Sequence, residues 1–248
     1  MPLDSAPLLM LIGATFALAG FIKGVIGGGL PTIAIGILGV AIPVPTAAAL
    51  VVLPSIVTNI WQSMGPRLAA LLRRLFLMLV GICIGAWLGA GLMTGAYSGY
   101  TRLALGLALV IYSGLGLLRV RFYTPPHTEW WLAPPVGIAT GFIAAGTGVF
   151  VIPSGPYLQA IGLEKDDLVQ ALGITYTVST VVLAAILAQA NVLTTDLLMP
   201  SGVALLGALI GMKAGQMFRV RIAEETFRRA FFAALLLLGT YLAIREAL

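Results

Sequence analysis

Charge is what this sequence has least of. Of its 248 residues, 9% are Asp, Glu, Lys or Arg, whereas a water-soluble domain carries roughly 25%. So few charges cannot cover a surface that faces water, and a soluble globule is excluded. Histidine occurs once, as His127, and cysteine once, as Cys83. A single thiol forms no intrachain disulfide, and neither residue has metal-ligating neighbours in the pattern. His127 follows Pro125-Pro126 and reads as a loop residue, while Cys83 sits in an apolar run and reads as packing. There is no Ser/His/Asp constellation and no phosphate-binding glycine loop. The sequence therefore points away from an enzyme, from a metal or other cofactor, and from nucleic acid as a partner.

What is there is apolar. Hydrophobic residues make up 60% of the chain, and no charged residue occurs from Gly24 to Pro66 or from Trp130 to Leu163. About 20 apolar residues cross the hydrocarbon core of a bilayer, so these runs are membrane material and the lipid bilayer is the chain's first partner. Met1 to Ser5 carries Asp4 and no basic residue, unlike the positive start of a secretory signal. The run from Ala6 onward is read as a retained first membrane segment.

The chain then repeats itself. Gly81, Gly85 and Gly89 recur 126 positions later as Gly207, Gly211 and Gly215, and the same shift carries Arg102 to Arg228 and Arg119 to Arg245. Earlier, Gly20-Phe21-Ile22 returns as Gly141-Phe142-Ile143, and Gly27-Gly28-Gly29 is echoed by Gly146-Thr147-Gly148. A proline follows each break, Pro31 and Pro153. The expected fold is all-α and polytopic, with two units, 1–122 and 123–248, joined by the loop from Arg121 to Glu129. Each unit is a glycine-broken helix pair or re-entrant hairpin followed by three transmembrane helices. In the first unit the broken part runs from Ala6 to Ile26 and from Leu30 to Ile42, and the spans are Thr46–Ser63, Leu75–Met93 and Leu103–Leu118. In the second, a broken segment from Trp130 to Leu163 precedes Leu168–Ala188, Leu197–Met212 and Ala230–Ile244.

Basic residues choose the topology. If each broken segment crossed once, seven basic residues would lie inside and six outside, which is no bias. If each starts and ends on one face, and the N-terminus is outside, eleven lie inside. These are Arg67, Arg73, Arg74, Arg119, Arg121, Lys165, Lys213, Arg219, Arg221, Arg228 and Arg229. Only Arg102 and Arg245 then lie outside, as the positive-inside rule requires. Both termini are expected in the periplasm, with the two units in opposite orientations. An inverted repeat with interrupted segments marks a transporter. The glycine runs are expected to let helices pack closely, as scaffold or as the seam between the units.

Candidate binding residues cluster at the breaks. Three adjacent glycines, Gly27, Gly28 and Gly29, free the backbone to turn, and non-helical backbone at membrane depth needs protein or a watery cavity to satisfy it. The helix that starts after the break presents a partial positive charge. Gly146, Thr147 and Gly148 would supply a second such start, and the pair would make an anion site. Lys23 is the one charged residue deep in an apolar run. It reads either as a counter-charge to an anion or as a side chain snorkelling to the headgroups. Ser55, Asn59 and Gln62 fall on one helix face, as do Thr177 and Thr180, and each could bond a solute or hold helices together. The site residues expected are thus Lys23, Gly27, Gly28, Gly29, Ser55, Asn59, Gly146, Thr147, Gly148 and Thr177.

The pattern of Gly20, Gly24, Gly27-Gly28-Gly29 and Pro31, its echo from Gly141 to Pro153, and the spaced glycines of the later helices resemble the TauE/SafE sulfite exporter family. The likeness runs from Leu8 to about Tyr241. It departs in the second break, where Thr147 stands within what is usually a triple glycine. The resemblance implies a bacterial inner-membrane protein that moves sulfite, a sulfonate or a related small organic anion without ATP. Export and import, the coupling ion and the choice of monomer or homodimer stay open. A passive channel would need a continuous polar lining, whereas the polar residues here cluster after the two breaks. An accessory subunit would need a partner surface, and the sequence offers no soluble domain for one.

Overall fold

The computed structural model describes residues 4–118, 122–218 and 224–247. Four arginines of the topology argument, Arg119, Arg121, Arg219 and Arg221, lie outside them. The described chain is helical: α1 Ala6–Ile26, α2 Leu30–Ala41, α3 Val44–Ser63, α4 Leu68–Leu88, α5 Thr101–Leu117, α6 Glu129–Thr147, α7 Ser154–Ala160, α8 Lys165–Gln189, α9 Leu198–Phe218 and α10 Glu224–Ala247. Among the described residues, seven helices are long and apolar enough to cross a membrane: α1, α3, α4, α5, α8, α9 and α10. Large apolar side chains such as Met10, Phe76, Trp87, Leu206 and Leu237 point outward, where lipid rather than water can receive them.

Several helices outrun the spans expected from hydropathy. α4 begins at Leu68 instead of Leu75, and α9 continues to Phe218 past Met212. Apolarity marks the hydrocarbon boundary, but a helix needs only its own backbone bonds and continues until its last carbonyls are capped. α4 stops early, at Leu88 and not Met93, because Gly89 caps it and Gly91 turns the chain at φ +89°.

The helices pair in a crossed pattern. α1 lies along α9, α4 along α6, α3 along α8 and α5 along α10. The spaced glycines form the contacts of the first two pairs. A Cβ on Gly85 would collide with the Ile138 carbonyl of α6, and one on Gly211 with the Ala17 carbonyl of α1. Backbone meets backbone along both seams, as small-residue spacing allows.

Helix ends gather at two faces. At one, the final carbonyls of α2 accept hydrogen bonds from arginines, Gly39 from Arg102 at 3.0 Å and Val40 from Arg245 at 3.2 Å. Arg102 also pairs with Glu246 at 2.9 Å. The start of α1 and the end of α2 line one hollow there, shared by Pro7, Leu8, Ala41 and Ile42. At the other face, Arg67 pairs with Asp167 at 2.8 Å, and Arg74 holds both Glu129 carboxylate oxygens and the Ile161 carbonyl. At 12 residues, α2 is about 18 Å long and cannot cross a core of roughly 30 Å. It folds back beside α1 as a hairpin that opens at the first face. The α6–α7 pair opens at the second, where Tyr157 donates to the Glu129 carbonyl at 3.3 Å.

Candidate functional site

The first break is the sharper of the two. α1 ends at Ile26, Gly27 and Gly29 take φ of +83° and +90°, and α2 starts at Leu30. Side chains rarely adopt that left-handed region, so glycine is required at both positions. Gln62 of α3 fastens the break by donating to the Gly27 carbonyl at 2.8 Å and to the Val169 carbonyl at 2.9 Å.

One turn before the break stands Lys23, 3% exposed. Its amine donates to Thr58 Oγ1 at 2.9 Å and to Asn59 Oδ1, both on α3. The snorkelling alternative therefore fails, because the amine turns into the protein. Thr58 passes its own hydrogen to the Pro54 carbonyl at 2.7 Å. Asn59 Nδ2 donates to Thr180 Oγ1 of α8 at 3.4 Å, and Thr180 donates in turn to the Tyr176 carbonyl at 2.6 Å. No ion pair of Lys23 occurs among the described residues. The chain's nine acidic residues all sit near helix ends or in loops: Asp4, Glu129, Glu164, Asp166, Asp167, Asp196, Glu224, Glu225 and Glu246. The one deep lysine among the described residues thus has neutral partners.

Ser55 lies three and four residues before Thr58 and Asn59, on the same helical face. Its hydroxyl is fully buried and without a hydrogen-bond partner, and so is that of Thr175 on α8. An orphaned buried hydroxyl costs about 1–3 kcal/mol and marks a place where a ligand atom can bind. Tyr176 stands between the two breaks. Its ring lies 5.8 Å from that of Phe150, and a Cβ on Gly28 would touch it at 3.5 Å.

Of the expected site, the structure joins Lys23 to Asn59, with Ser55 on the same face of α3 and Gly28 against Tyr176. The second break contributes differently. Thr147 donates to the Ile143 carbonyl at 2.7 Å and accepts from the Val149 amide at 3.1 Å, which closes α6 locally. Gly146 faces Leu92, and Gly148, at φ +73°, packs on Ile35 and Ala48. Thr177 bonds back to the Gly173 carbonyl of its own helix. The expectation of two matching helix starts needs correction. Six residues separate α6 from α7, and α7 has only seven, too few for much of a dipole. Thr58 and Thr180, which were not among the expected site residues, join the hydrogen bonds of Lys23 and Asn59, as Thr147 and Thr177 do not. Thr58 went unnoticed because a membrane threonine usually bonds to its own backbone, and only the approach of Lys23 shows that its oxygen accepts as well.

No curated protein and no solved structure matches this chain. A family model does: residues 12–242 match that of the sulfite exporter TauE/SafE, nearly the whole chain. With an all-helical fold whose long apolar helices suit a membrane and a match over nearly its whole length, the chain belongs to the TauE/SafE sulfite exporter family.

Proposed function

We propose that this chain is a secondary transporter that carries sulfite, a sulfonate or a related small organic anion across the bacterial inner membrane, with Lys23 holding the anion's charge. The observation that carries the reading is a buried lysine amine with neutral partners, one turn from a glycine break and on the same side of α3 as an orphaned hydroxyl. A lone charge in a low-dielectric interior is costly, and an anion arriving beside it offsets that cost for both ions. Lys23 N–H, Ser55 O–H and the backbone around Gly28 are the donors such an oxyanion needs. Proteoliposomes holding the purified protein should take up labelled sulfite and methanesulfonate with saturation, and Lys23→Met should reduce that uptake at least 100-fold, the effect of losing about 2.7 kcal/mol of anion stabilisation. Wild-type rates in folded Lys23→Met would overturn the assignment of Lys23.

We further infer that residues 1–122 and 123–248 are two inverted units with both termini in the periplasm. The crossed pairing supports this, since α1 on α9 and α6 on α4 are the same contact with the units exchanged. The two hairpins opening at opposite faces support it as well, as does the arginine distribution. In a Cys83→Ser background, cysteines at the exposed positions Arg67 and Lys213 should react with an impermeant maleimide only in inverted vesicles. Labelling of either in intact cells contradicts the orientation.

A further inference from the structure

The hydrogen-bond directions around Lys23 say more than that an anion binds. Thr58 has committed its hydrogen to the Pro54 carbonyl, and the Asn59 amide nitrogen points to Thr180, whose hydrogen goes to the Tyr176 carbonyl. Both Lys23 partners are thereby fixed as acceptors. They receive two hydrogens from the amine, which is all that a neutral amine has. An ammonium carries a third, and no charged group among the described residues meets it. α1 and α2 hold no other titratable residue and α3 holds none. α9 holds Lys213, which is exposed. α8 offers Tyr176, with Lys165, Asp166 and Asp167 in its first turn, Asp167 bound to Arg67. α10, whose Phe227 packs on Phe21, carries Glu224 and Glu225 in its first turn and Arg228, which donates to the Gly116 carbonyl.

We infer that Lys23 takes up one proton with each anion it binds and releases it when the anion leaves, so that transport is an electroneutral proton–anion symport. The inference rests on the anion carriage proposed above. On the loading side the Nζ lone pair accepts a proton from water, and the new N–H bonds to the anion. On the far side the anion departs and Nζ returns that proton to water, leaving the amine neutral with its two fixed bonds intact. The buried site is neutral when loaded, as an ammonium–anion pair, and neutral when empty. Neither half of the cycle carries an uncompensated charge through the low-dielectric interior.

Methanesulfonate separates the possibilities, because its charge does not change over the pH range used. Proteoliposomes with equal methanesulfonate on both sides are made one pH unit more acidic outside, with the membrane potential set by potassium and valinomycin. One pH unit is worth a factor of about ten, so wild-type protein should accumulate the anion about tenfold. Internal pyranine should report acidification in step, and changing the potential should alter neither. Lys23→Arg keeps a cation that cannot deprotonate, so its accumulation should follow the potential and ignore the pH gradient. Wild-type accumulation that tracks the potential with no pyranine signal overturns the coupling while leaving anion carriage standing. Retention of pH-driven accumulation in Lys23→Arg overturns it too, since the proton would then ride elsewhere. If neither methanesulfonate nor sulfite enters under any gradient, the proposed carriage falls and the coupling falls with it.

Discussion

Replacing Gly85 with alanine should remove nearly all folded protein from a detergent extract, while Gly202→Ala should leave the yield unchanged. The two glycines sit in long apolar helices, α4 and α9, and the substitutions add the same methyl group. At Gly85 that methyl would overlap the Ile138 carbonyl oxygen and come within 2.6 Å of its carbon. These are backbone atoms of α6, so no rotamer change relieves the clash, and the helices must move apart. The seam is close-packed from both sides, since a Cβ on Gly137 or Gly141 would likewise collide with the Met78 or Ile82 carbonyl of α4. Overpacking a core costs about 1–3 kcal/mol even where side chains can yield, and domains are held by only about 5–15 kcal/mol. At Gly202 a Cβ meets nothing within 4 Å, and alanine favours a helix over glycine by roughly 0.5–1 kcal/mol. Fluorescence-detected size exclusion with a thermal ramp reads both variants. A monodisperse Gly85→Ala peak melting within about 2 °C of wild type, less than 1 kcal/mol shifts it, would show that the seam is looser than the structure has it.

How far the molecule can be read from its sequence depends on whether a feature is local. The uncharged runs and their lengths gave the three full spans of each unit, and three adjacent glycines gave the first break at the residues where it occurs. The close-packing role of Gly81, Gly85, Gly207 and Gly211 followed from spacing alone, because four-residue repeats share a helix face. The second break was harder. Val149 to Ile152 is as apolar as any helix around it, so nothing in the pattern says that the helix is interrupted there or that α7 is so short. The candidate binding residues depend on contacts distant in sequence. Lys23 stands out because it is charged, but its partners are 35 and 36 residues away, and only its hydrogen bonds across to α3 show that it turns inward. Thr147 and Thr177 read as site residues because they are polar and near a break. Each spends its hydroxyl on its own helix, a choice that sequence does not record.

Gly28→Val should abolish transport and leave the protein folded, which separates this glycine from its two neighbours. Gly27 and Gly29 turn the chain with positive φ, so any side chain there strains the backbone by about 1–2 kcal/mol. Their loss of activity would be mixed with loss of stability. Gly28 lies outside that region, and a Cβ on it meets only the edge of the Tyr176 ring at 3.5 Å, an ordinary contact. The break therefore tolerates a side chain at Gly28, but the space toward Tyr176 does not survive one. Valine adds two methyl groups beyond the Cβ, and the rigid branch directs them into the gap between the break and the ring. An anion held by Lys23 and the backbone around Gly28 needs that gap, because glycine N–H groups bond an anion only where nothing shields them. Sulfite uptake should fall at least 100-fold in Gly28→Val, equivalent to about 2.7 kcal/mol, and methanesulfonate should no longer raise the melting temperature. The melting temperature without ligand should shift by only a few degrees, corresponding to about 1 kcal/mol. Gly28→Ala should be intermediate, several-fold slower than wild type, since one methyl group narrows the gap without closing it. A Gly28→Val protein that folds and transports sulfite at the wild-type rate would move the anion away from the first break, to the Thr175 side of Tyr176.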